Sequence, residues 1–185
     1  MNEALWALGR GTGVVALLLM TVAVVLGIAT RSGRPILGLP RFSVALVHRN
    51  ASLLASVFLV IHIVSLFFDP YAHLAVVDFL VPFLGSVKPF WQGLGTVAVD
   101  LLAAILVTSL LRRWIGQRVF RLVHWFTYAM WPVALAHSIG NGTDGTSAWF
   151  LVLAVLSIAA VAIALAWRLS ANFIEFRNAR QGEAR

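Results

Sequence analysis

The chain holds five histidines, and four of them form two pairs with nearly the same spacing. His48 and His62 bracket HRNASLLASVFLVIH, and His124 and His137 bracket HWFTYAMWPVALAH. The residues between them are mostly apolar. An imidazole in such a setting can ligate a metal, relay a proton or bond to a neighbouring helix. On a helix, fourteen residues rise about 21 Å and thirteen about 19.5 Å. Side by side and parallel, such helices put His48 level with His124 and His62 level with His137. Each level then offers two facing ring nitrogens. His73, the fifth, has no partner at matched depth and is expected to be solvated or interfacial.

Two imidazoles leave a bare ion short of ligands, since zinc takes four. The chain has no cysteine, and its apolar stretches hold almost no carboxylate to complete a set. A haem brings four nitrogens in its own plane and asks the protein only for axial ligands. Two histidines on facing helices therefore suit a haem, and iron with both axial positions filled favours electron transfer over oxygen binding. The expected sites are an inner haem iron on His48 and His124 and an outer haem iron on His62 and His137. Arg49, Arg118 and Arg121 lie within a turn or two of the inner ligands and are candidates to meet haem propionates. The alternative is a haem-free transport or scaffold protein whose histidines relay protons or make helix contacts. Helical phase tests the pairing. Fourteen residues return to within about 40° of the starting face, but thirteen miss by about 140°. Pro132, between His124 and His137, is read as helping to re-aim His137.

The elements that must position these residues follow from composition. Apolar residues make up 61% of the chain and charged residues 11%, far from the balance of a soluble domain. The hydropathy pattern predicts an all-α, polytopic membrane bundle in one domain, with spans at about 12–30, 43–68, 91–111, 118–139 and 148–168. The net charge of +7 is placed by topology rather than by nucleic acid. All cations except Arg10 and Lys88 fall in the links after the first and third spans, near the inner ends of the second and fourth, or at the chain's end. The arginine-rich side is then cytoplasmic, the N-terminus outside and the polar tail 171–185 inside. A cleaved signal peptide over residues 1–29 is the rival; it would put Arg31–Arg49 outside and break the charge pattern. Segment 69–90 is the longest link, and its short apolar patch is expected to lie at the interface or fold back into the membrane. No Gly-rich phosphate loop or dinucleotide fingerprint occurs in these residues.

Asp100 is the one carboxylate well inside a span, which makes it a functional hypothesis. Bonding a facing hydroxyl, assisting proton uptake and orienting a ligand histidine all remain open for it. Tyr128 and Trp131 are read as helix packing.

The His-Arg…His pair with a step of fourteen and the His…His pair with a step of thirteen, preceded by TSLLRRWIGQRVFRLVHW, resemble the ferric-reductase-like transmembrane domain, the haem core of ferric reductases and NADPH oxidases. The likeness covers roughly residues 10–170. It implies two b-type haems stacked across a membrane. It also implies that His48 and His124 ligate the inner haem, and His62 and His137 the outer. The family's FAD- and NADPH-binding half has no counterpart in these residues, so the chain looks like the smaller stand-alone bacterial members. That resemblance implies a bacterial plasma membrane, a separate electron donor (a flavoprotein or a quinol) and an external acceptor, either a protein or a ferric chelate.

Overall fold

The computed structural model describes residues 2–32, 35, 38–72, 74–85, 87–171, 173 and 175. His73 and the tail from 176 onward lie outside the described residues. The chain is all-helical: α1 (Asn2–Ala29), α2 (Arg41–Phe67), α3 (Val76–Leu80), α4 (Pro89–Leu110), α5 (Arg112–His124), α6 (Thr127–Asn141) and α7 (Ala148–Leu169). Among the described residues the only β pairing is an isolated bridge between Ser32 and Glu175. Helices α1, α2, α4 and α7 are each long and apolar enough to cross a membrane. Long apolar helices satisfy their backbone groups internally, which is what a lipid environment requires.

Helix α1 is the centre of the bundle. It packs along α2 and also touches α6 and α7, while α4 packs along α6. Ile28 is fully buried and Ala16, Leu17, Met20 and Val24 nearly so. They meet Ala55 of α2, Leu102 of α4, Leu135 of α6 and Val161 of α7 in one apolar core. The segment open to reading as a removable leader therefore supplies the core's middle. Trp131 donates its indole N–H to the Thr21 hydroxyl at 2.9 Å, a polar link between α6 and α1 in this core.

Residues 118–139, expected as one span, are divided between α5 and α6. The α5 segment is interrupted at Gly116, whose φ of 81° is left-handed, a conformation glycine adopts without steric cost. Arg118 and Arg121 are exposed on it. Between α5 and α6 the chain winds tightly: Phe126 N–H bonds Val123 O, Tyr128 N–H bonds Trp125 O and Ala129 N–H bonds Phe126 O, each three residues back. Helix α6 then runs unbroken through Pro132. Each residue wound at three per turn rather than 3.6 gains about 20°. A stretch of four or five such residues recovers most of the phase by which a step of thirteen misses. The re-aiming of His137 is thus placed at residues 125–129, upstream of Pro132.

The two ends of the bundle differ. At one end, Arg41 Nε donates to Thr30 O at 2.7 Å, Arg31 pairs with Glu175 at 3.4 Å, and Arg168 bonds the Tyr128 hydroxyl. At the other, Arg10 Nε meets Asp144 Oδ2 at 2.7 Å and stacks over Trp6 at 3.9 Å. Lys88 Nζ there reaches Gly140 O at 3.2 Å. The 69–90 link contains the short helix α3, tied down where Thr96 of α4 donates to Asp78 O at 2.6 Å.

Candidate functional site

Three of the four paired histidines are held in the same way. His62 Nδ1 lies 2.7 Å from Gly9 O, His48 Nδ1 lies 2.8 Å from Ala23 O, and His137 Nδ1 lies 2.8 Å from Trp91 O. A carbonyl can only accept, so each Nδ1 carries the proton and each neutral ring keeps its Nε2 lone pair free. Each ring also packs on a glycine four residues beyond its carbonyl. A Cβ added at Gly13 would come within 2.8 Å of His62, one at Gly27 within 3.2 Å of His48, and one at Gly95 within 2.6 Å of His137. The glycine lets the ring approach the neighbouring helix closely enough to reach that carbonyl. Hydrogen bonds of this kind fix the tautomer and ring orientation of a ligand histidine and raise its basicity.

His124 is different. It ends α5, its Nδ1 is buried, and that atom has no hydrogen-bond partner. Its ring lies 6.3 Å from that of His48, centre to centre, at 83°, and 5.2 Å from Phe120. The expected inner pair is thus brought together. His62 and His137 line one cavity of about 500 Å³ together with Gly13, Leu17, Met20 and Leu59. Arg10, Asp144, Lys88 and Asp69 also line that cavity. Asp69 is buried at 3% exposure, with one carboxylate oxygen on Tyr71 N–H at 3.0 Å and the other without a partner.

The remaining candidates stand outside these pairs. Arg49, Arg118 and Arg121 are exposed, and Arg121 bonds Gln117 O on its own helix at 3.2 Å. Asp100 is exposed on the outward side of α4; the group orienting His137 is the Trp91 carbonyl. Tyr128 and Trp131 are engaged by Arg168 and Thr21, as packing residues. Among the described residues no group of three or more potential side-chain ligands could hold a bare metal ion.

The glycines and carbonyls that seat the rings were not singled out in the sequence. A signal for two of them was present: Gly13 and Gly27 are fourteen residues apart, as are His48 and His62.

A family model described as "Ferric reductase like transmembrane component" matches residues 12–135. The chain belongs to this family. The match takes in about two thirds of the chain and includes His48, His62 and His124; it ends two residues before His137. No curated protein and no solved structure matches the chain. Ferric-reductase-like transmembrane domains are redox components that generally bind haem, and with four membrane-length helices among the described residues this one is a multi-pass membrane protein.

Proposed function

We propose that this ferric-reductase-like domain is a di-haem b-type membrane cytochrome, with an inner haem on His48 and His124 and an outer haem on His62 and His137. The observation that carries the reading is the repeated seat: three imidazoles at two levels hold Nδ1–H on a backbone carbonyl and leave Nε2 free. Two further features fit the group. The rings of His48 and His124 lie 6.3 Å apart, centre to centre, a separation that would admit one metal ion between them. Gly13, Leu17, Met20 and Leu59 are apolar parts of the outer cavity's lining, and cofactor pockets are mostly apolar with a few placed polar groups.

When bound, haem supplies reversible one-electron iron chemistry. The protein's own part is to hold the rings of His48, His62 and His137 in one tautomer and to keep water from the ligand nitrogens. Arg49, Arg118 and Arg121 supply countercharge near the inner level. We place the arginine-rich end in the cytoplasm, where a separate flavoprotein or a quinol delivers electrons; the end bearing Arg10 and Asp144 faces an external acceptor protein or ferric chelate. The bacterial plasma membrane is the membrane this arrangement suits.

Purification tests the reading. The protein is expected to be red, to carry two haems per chain and to shift its absorbance on dithionite reduction. A colourless protein from cells supplied with ample haem overturns the proposal. Sidedness is tested separately with a C-terminal reporter, expected to be active only in the cytoplasm; activity only outside reverses the inner and outer assignments.

A further inference from the structure

We propose that His124 is the exchangeable ligand of the pair, and that the inner level is a binding site for small neutral diatomic ligands of reduced iron, of which carbon monoxide is the probe. This rests on the haem reading above. The basis is the asymmetry among the four rings. His48, His62 and His137 each have a carbonyl for Nδ1 and a glycine to lie on. His124 has neither: its Nδ1 is buried without a partner, and no described glycine packs against its ring. With Nε2 as the ligand atom, Nδ1 would carry the proton, and a buried N–H without an acceptor carries a free-energy cost.

The backbone beneath His124 is also the least regular part of the pair. It is the last residue of α5; the Trp125 N–H after it is shared between Arg121 O and Leu122 O, and Phe126, Tyr128 and Ala129 bond three back, the weaker helical geometry. Trp125 and Phe126, which follow it, are 57% and 49% exposed. The helix facing α6 offers no replacement seat. Counting inward from Gly95 by the thirteen residues that separate His137 from His124 leads to Thr108, whose hydroxyl already occupies Ala104 O at 2.7 Å. That is the carbonyl four residues before it, the position used in the other three seats.

Displacement of His124 breaks no Nδ1 hydrogen bond, whereas displacement of any other ring breaks a carbonyl bond. A neutral diatomic needs no charged partner in the apolar interior, and at a haem held there it would compete with His124, the one ring without a carbonyl or glycine seat. His48 stays in place on Ala23 O. The outer pair, seated on both sides, stays closed.

The experiment is a carbon monoxide difference spectrum of the dithionite-reduced, purified di-haem protein. Half the haem is expected to respond. His137→Ala protein, lacking the outer haem, is expected to respond with all its remaining haem, and His48→Ala protein with none. The intact protein decides whether one pair is open, and either variant alone assigns it. No response from the intact protein overturns the proposal, as does a response from all its haem. A response kept in His48→Ala and lost in His137→Ala places the open site at the outer pair and overturns it equally. Protein that purifies without haem defeats the di-haem reading itself, a separate outcome.

Discussion

His137→Ala and His62→Ala proteins are expected to lose the outer haem and keep the inner, and His48→Ala to do the reverse. Each level depends on one ring from each helix pair, so a single truncation removes half the axial set. Of the inner pair, His48→Ala is expected to be the more severe. His48 is the ring anchored to Ala23 O, whereas His124 has no anchor. Haem per chain, measured after denaturing extraction, reads the outcome. His73→Ala is the control, expected to leave both haems. If it removes as much haem as His62→Ala, the pairing by depth is wrong.

Gly95→Ala should lower outer-haem affinity by about 10- to 100-fold, the range for loss of a group that orients a ligand. The added methyl would sit 2.6–2.7 Å from ring atoms of His137, closer than carbon and nitrogen tolerate. The ring cannot swing aside without giving up Trp91 O. Gly13→Ala, at 2.8 Å from His62, should follow, and Gly27→Ala, at 3.2 Å from His48, should be the mildest. Glycine to alanine in a helix otherwise stabilises by up to about 1 kcal/mol, so a general effect on the helix has the opposite sign. Haem titration into the apo-proteins measures the order. Greater loss in Gly27→Ala than in Gly95→Ala would show that the rings are not held by these seats.

The histidine levels were legible because they depend on spacing along one helix at a time. The apolar blocks were legible because the membrane demands them. What lay hidden depends on how two helices slide and turn against each other. Nothing local marks Ala23 or Trp91 as the residues whose carbonyls orient an imidazole, because every residue has a carbonyl. Arg10 and Asp144 are 134 positions apart, and their pairing appears only when α1 closes against the α6–α7 link. The tight winding at 125–129 has no glycine or proline to announce it, while Pro132 draws the eye and leaves α6 helical. Asp100 could be assigned to a span but not to a face, and the structure turns it outward.

The two seats on α1 are fourteen residues apart, as are the two rings on α2, and the helices lie so that Gly13 serves His62 and Gly27 serves His48. That matched pair of intervals is a gauge. One residue inserted into α1 between positions 13 and 27 would advance Gly27 by about 1.5 Å and rotate it by about 100° relative to Gly13. One ring would then face a side chain in place of a glycine. The same insertion in α2 would do equal harm, and only a matching change in both helices would restore the fit. Substitutions elsewhere on the lipid-facing sides can drift freely, but the lengths of these two stretches are locked to each other. In natural variants of this chain, length changes should gather in the links at 31–40 and 69–88 and spare α1 and α2.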